Sequence, residues 1–526
     1  MSNNQKFAKM NMLKIFSYNL VVLLFFVINS ASVFGQPMMN YYLEIDELKW
    51  DSFQISISIK DNSNEYLYCT FPGLHSWKPL SKDEDIGISE VNVVGDYGNN
   101  LPVNRINWNS WLIESKANSI VIITYKIKKM TDDVLGECLN RRFARIDCGS
   151  TFMLIRELAH VPIRVSARVP HGWKLATGLP FSNDQFEYSA SSYAELLNRP
   201  LYLAPFVDLF FPIKDRICYL VFDGKKNFDV VQLTNIAKKI VKHQVDMFDD
   251  IPFNSYLFIF KLFPDDRIIT SKAYENSSII YLSSQTSENI LNELGKQMAS
   301  NFFQSWNGYQ FHPVLPVGRS MNSMQPDRYH WFIYGISDYY GYLTMARTGL
   351  LTEDDVIQHY IRLMNQSNQF SDFQNISVAS LSADGFRYWD RRTIEYIRMK
   401  GHLIGALLDL KIRAMTNNRR SLDDVLYFLN KWFGDTGQAY TEQDLLRAIN
   451  SVTGIDVASF FDQYVAGTVE LPFSEMFQHA GIFIKSELDT IPDLGQVILS
   501  NITNEVLSLE KSGSLAIAGL QRGDRL

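Results

Sequence analysis

The sequence predicts a multi-domain α+β fold: an N-terminal antiparallel β-sandwich, an α/β segment that turns helical, and a short C-terminal piece. Three observations carry this. Between residues 37 and 195, short runs alternate apolar and polar side chains, the period of strands with one buried face. A helical amphipathic pattern at 229–248 leads into a very apolar strand at 255–262. Residues 353–482 then repeat their apolar side chains at helical spacing.

In chain order, residues 1–35 read as a secretory signal. Lys6, Lys9 and Lys14 precede an apolar run at 20–28, and Val33 and Gly35 stand at cleavage spacing before Gln36. The run is too short to cross a membrane comfortably; an uncleaved N-terminal anchor is the alternative. In the sandwich, 36–195, Ile55, Ile57 and Ile59 alternate with Ser56, Ser58 and Lys60, and Ile163, Val165, Ala167 and Val169 keep the same period. His171, between Pro170 and Gly172, reads as a turn residue. The helix at 229–248 turns Leu233, Ile236, Ala237, Ile240, Val241 and Val245 inward. A second helix, ENILNELGKQMASNFFQSW at 288–306, repeats Ile290, Leu294, Met298, Phe302 and Trp306 at intervals of four. Thr286 and Ser287 offer caps at its start, and Asn307-Gly308 offers an end. Ser421 with Asp423 and Asp424 marks a further helix start.

Four separated stretches share one likeness: SNFFQSWN at 300–307, WFIYGISDYYGYLTMARTGLLT at 331–352, MKGHLIGALLDLKIRAMTNNRRSLDDVLYFL at 399–429, and FFDQYVAGTVELPFSEMFQHAGI at 460–482. In this order the chain resembles the glycyl aminopeptidase family, secreted zinc metallopeptidases with a thermolysin-like catalytic domain and a PDZ domain. The resemblance implies a thermolysin-like domain over 196–352, its helical part over 353–482, and an incomplete PDZ domain over 483–526, for which little order is expected. It also implies a site. The family's two zinc histidines fall at Ser300 and Gln304, its glutamate base at Asn301, and its third ligand, a glutamate, at Tyr334. Tyr274 and Glu275 stand at the family's substrate-holding motif, with Asn276 in place of a histidine. The family's oxyanion tyrosine falls at Ile397 or Arg398, with Tyr396 beside them.

Zinc needs imidazole nitrogens and a carboxylate at about 2.0–2.2 Å. Ser300, Gln304 and Tyr334 offer neutral oxygens, and Asn301 cannot take a proton. No cofactor is therefore expected, although the family uses zinc. A rearranged site from His312, His330 and Asp338 would need donors from a different helix face. The four cysteines form no CxxC pair, which argues against a cysteine zinc site; Cys138 and Cys148 bridged, or all four as thiols, both remain open. A formal charge of −7 without a strong basic cluster argues against nucleic acid. The expectation is an exported homologue, periplasmic or extracellular, with no integral membrane span once the signal is cleaved. It is catalytically inactive and retained to bind peptides or a protein partner in the former cleft. The alternatives are an active metallo-aminopeptidase with a non-standard metal site, or a decayed or incompletely read gene, given an end at Leu526 inside the PDZ pattern.

Overall fold

The computed structural model describes residues 38–525 except 48–49, 73–86, 117, 129–137, 182–185, 227, 264–269, 284–289, 315–327, 385–390, 486–496, 500–504 and 510–512. The proposed signal, the cap residues Thr286 and Ser287, and the Leu494-Gly495 pair lie outside the described residues. Contacts divide the chain into two compact units, Met1–Leu471 and Pro472–Leu526.

The N-terminal part of the large unit holds two sheets over one core. The six-stranded sheet contains β1 (Met38–Glu44), β2 (Ser52–Lys60), β4 (Ile88–Val94), β7 (Ile120–Lys128), β11 (Ile163–Arg168) and β13 (Glu187–Ala190), in the order β13-β11-β1-β2-β7-β4. The four-stranded sheet runs β10 (Leu154–Ile155), β3 (Tyr66–Thr70), β6 (Ser110–Glu114), β5 (Val103–Asn107). Ile55, Ile57 and Ile59 are buried on one face, as their period requires. Phe71 packs edge-on against Tyr125 at 5.5 Å and Trp111 at 5.8 Å, tying the two sheets together. The expectation of purely antiparallel pairing needs one correction: β1 and β11 run parallel. They are far apart in sequence, so no tight hairpin dictates their relative direction.

A third sheet, β12 (Lys174–Ala176), β14 (Leu201–Ala204), β9 (Ala144–Ile146) and β8 (Cys138–Leu139), shares a second core with a five-stranded sheet. The latter is ordered β15 (Val207–Ile213), β16 (Arg216–Asp223), β17 (Ser255–Phe263), β19 (Ser277–Ser283), β18 (Thr270–Tyr274). β16, β17 and β19 are mutually parallel, and β15 and β18 are antiparallel edges. Parallel strands need a crossover, which α1 (Val230–Phe248) supplies between β16 and β17. Asp229 caps it, accepting from the amides of Val231 and Gln232. The buried run of β17 follows from cover on both faces.

The helical part comprises α2 (Ile290–Phe303), α3 (Ser337–Arg347), α4 (Glu353–Ser367), α5 (Val378–Asp384), α6 (Arg391–Met415), α7 (Leu422–Leu429), α8 (Glu442–Thr453) and α9 (Ala458–Tyr464). A π-helical turn, Trp331–Ile336, precedes α3. The stripe Ile290, Leu294, Met298, Phe302, Trp306 is buried as predicted, but α2 ends at Phe303 rather than Trp306. Its last turn tightens, with the amides of Ser305 and Trp306 donating to the carbonyls of Phe302 and Phe303. Gln304 therefore stands in a turn, not on the helix.

All four cysteines are buried and none is bridged. Cys148 belongs to the first core and Cys138 to the second, and the Cys148 thiol points at the Arg199 carbonyl, 3.2 Å away. In the small unit, α10 (Phe473–Gln478) precedes a hairpin of β20 (Val497–Leu499) and β21 (Val506–Leu509) and a helical turn, Ser514–Ile517. Within this stretch the Val506 amide donates to the Asp524 carbonyl and the Gly523 amide to that of Val506.

Candidate functional site

Three helical segments and one strand edge meet where the sequence places the site. Glycines set the approach. A methyl on Gly341 of α3 would lie 2.8 Å from the Ser300 amide nitrogen, and one on Gly335 would lie 2.4 Å from the Cα of Gly401 on α6. The missing side chains let α3 touch α2, and the π turn touch α6, backbone to backbone.

Ser300 is buried at this crossing, and its hydroxyl donates to Asp338 Oδ1 at 2.5 Å. Arg398 reaches the same carboxylate from α6 as a fork, Nε to Oδ2 at 2.7 Å and Nη2 to Oδ1 at 2.7 Å. Its guanidinium carbon lies 6.0 Å from the centre of the Tyr334 ring, which stacks on His330 at 5.5 Å. Burial opposes the charge on Arg398, but Asp338 outweighs it and holds the guanidinium pKa above its ordinary value. Ser300 and Tyr334 are thus joined through an ion pair.

Asn301 faces the other way. Its Oδ1 accepts from Ser271 on the edge strand β18 at 3.2 Å, and its buried Nδ2 has no partner among the described residues. Gln304 is buried one residue beyond the end of α2. Tyr309 bridges the two sides, its hydroxyl donating to the Ala273 carbonyl of β18 at 3.2 Å. Burial, then the neighbouring Tyr334, pushes the Tyr309 pKa up. Tyr274 is buried in the second core, with the Lys272 ammonium 5.0 Å from its ring centre. Glu275 pairs with Arg199 at 2.9 Å. Tyr396 is packed elsewhere, between Phe370 at 5.3 Å and Phe373 at 5.1 Å. Residues 396 and 398 lie about 200° apart around a helix, so Arg398 and Tyr396 face nearly opposite sides. The rearranged metal site does not assemble: His330 Nδ1 is 3.3 Å from the Ser382 carbonyl, His312 Nδ1 is 3.2 Å from that of Pro313, and Asp338 is taken by Arg398.

The family profile described as the Peptidase M61 N-terminal domain matches residues 40–205, and that described as M61 glycyl aminopeptidase matches 294–404. Together they span more than half of the chain. The protein belongs to the M61 glycyl aminopeptidase family. Its fold is similar to that of an aminopeptidase N family protein from Idiomarina loihiensis, at 20% identity and a TM-score of 0.81, covering 93% of this chain and 88% of that one. An M1 zinc metallopeptidase from Deinococcus radiodurans is similar at 11% identity and a TM-score of 0.50, covering 83% and 96%. A mutant of a Deinococcus radiodurans M1 zinc metallopeptidase, bound to a Tyr-Ser-Ala substrate, is similar at 10% identity and a TM-score of 0.51, covering 83% and 94%. None of the curated proteins matches.

The M61 family's zinc does not suit the residues present. A hydroxyl, an amide and a phenol stand at the three donor positions and a second amide at that of the base, and the carboxylate bonded to Ser300, Asp338, is already held by a cation. Among the described residues no group of three His, Cys, Asp or Glu side chains could hold a metal. Sequence reading passed over Tyr309 and Ser271, for which no local signal exists, and met Arg398 only as the place of an absent tyrosine.

Proposed function

We propose that this M61 homologue is a catalytically silent, exported protein that keeps the thermolysin-like cleft as a binding site for peptides or a protein partner, without zinc. The supporting observation is the Ser300–Asp338–Arg398 cluster, in which hydrogen-bonded protein groups engage Ser300, a residue the family resemblance aligns with a zinc ligand. Peptide as the ligand class rests on the family and on the Tyr-Ser-Ala substrate bound by the similarly folded mutant enzyme. β18 is an edge strand, and an extended peptide pairing along it would take the Ala273 carbonyl from the Tyr309 hydroxyl. The signal-like pattern read at 1–35 supports export; among the described residues no helix is long and apolar enough to cross a membrane. The same reading takes 483–526 as PDZ sequence, consistent with the β20–β21 hairpin and the turn after it.

The test is metal analysis of the purified protein, an assay on glycyl peptides, and calorimetry with the same peptides. Zinc far below one per chain, no cleavage and saturable binding are expected. Stoichiometric zinc with cleavage would overturn the silence, and no binding at millimolar peptide would overturn the binding role.

A further inference from the structure

The site has not simply lost its ligands; it is built around an ion pair of its own. Asp338 on α3 sits within hydrogen-bond reach of Ser300, one former ligand position, and Arg398 lies over Tyr334, another. The fork from Arg398 uses both oxygens of Asp338, and the Ser300 hydroxyl takes a further lone pair. The pair is net neutral and three of the carboxylate's about four lone pairs are taken, so it offers a dication no net charge and little acceptor capacity. A guanidinium stays protonated throughout the accessible pH range, so the obstruction cannot titrate away. Three helical elements, α2, α3 and α6, meet at this cluster, the kind of linkage a bound ion supplies.

Building on the reading above, we infer that the Arg398–Asp338 pair has replaced the metal as the linchpin of the cleft. It ties α2, α3 and α6 together and excludes divalent cations even when the family's ligands are restored. Arg398 is thus a fifth substitution, beside Ser300, Asn301, Gln304 and Tyr334, and reversing the other four is not enough.

The experiment compares two variants of the full chain. One carries Ser300→His, Asn301→Glu, Gln304→His and Tyr334→Glu; the other adds Arg398→Tyr. Zinc per chain is measured by atomic emission, and cobalt binding by its visible absorption. The four-fold variant is expected to hold little metal, and the five-fold variant to bind cobalt at least about a hundredfold more tightly, as removal of a cation within several ångströms of a dication implies. Stoichiometric zinc in the four-fold variant would overturn the inference while leaving the silence of the natural protein intact. Stoichiometric zinc in the natural protein would instead overturn the functional reading. Should either multiple variant fail to fold, Arg398→Met in the natural chain carries the test. Its melting temperature is expected to fall by several degrees and to show no recovery with zinc; an unchanged melting temperature would refute the linchpin role.

Discussion

His359 and His402 face each other with ring centres 5.1 Å apart, the His359 ring stacked on Tyr342 at 3.7 Å. Neither Nε2 has a partner among the described residues. Tyr339 and Tyr360 close the pocket, and Lys296 and Arg362 add positive potential. Burial, then the like charge of the partner, lowers His359 to about 2; burial lowers His402 to about 4 against a small opposing pull from Asp338. Both rings stay neutral in the folded chain, while the unfolded chain takes up protons near pH 6.5. Between that pH and about 4 the unfolded state binds more protons, so stability falls as pH falls. For His402 the loss is on the order of 3 kcal/mol. Urea midpoints at pH 7 and pH 4.5 should drop more for the natural chain than for one with His359→Phe and His402→Phe; equal drops would refute this. Chemistry held in single side chains, such as the neutral groups of Ser300, Asn301, Gln304 and Tyr334, is legible directly. A histidine's partners are not, because they come from helices brought together only on folding.

At the scale of elements, the family signatures prove to be joints between helices. Tyr340 and Arg347 of α3 both bond Asp423 at the start of α7, at 2.7 and 2.8 Å. Asp409 of α6 accepts from Tyr339, Arg413 and the Leu422 amide. Gly401 marks the closest approach, since a methyl there would sit 2.2 Å from the Trp331 carbonyl oxygen. Gly401→Ala gains about 1 kcal/mol of helix propensity, yet the clash with rigid backbone should make it net destabilising by about 1–3 kcal/mol. At Gly405 the nearest atom is the end of the Ile336 side chain, 2.6 Å away, which can move aside. Gly405→Ala should therefore cost less, and chemical denaturation of the two variants checks the order. Helical periodicity announced these elements. The π turn at Trp331–Ile336 and the early end of α2 were not announced, because crowding at the crossing sets them rather than local propensity.

Across the large unit, the third sheet and the five-stranded sheet share an interior that is not wholly apolar. Lys261 of β17 pairs with Asp223 of β16 at 2.6 Å, both buried, and Tyr202 of β14 donates to the same carboxylate at 2.5 Å. The Lys261 ammonium also lies 4.0 Å from the centre of the Phe143 ring. Lys261→Met leaves Asp223 charged and buried with only a hydroxyl for company, and should cost about 3–5 kcal/mol. Adding Asp223→Leu should recover most of that, because an apolar pair needs no compensation for lost water. Urea unfolding of the single and double variants measures the difference; no recovery would show that the pair itself is a net source of stability.

The sequence alone determined the period of the main strands and helices, the family, and the side-chain types at the positions the resemblance assigns to the zinc donors and base, because periodicity and side-chain type are local properties. Only the tertiary structure decided what stands in their place. Asp338 and Arg398 are sixty residues apart, and their meeting depends on two helices crossing at Gly335 and Gly401. A close approach of this kind is a property of packing between elements, and nothing in the period of either helix encodes it.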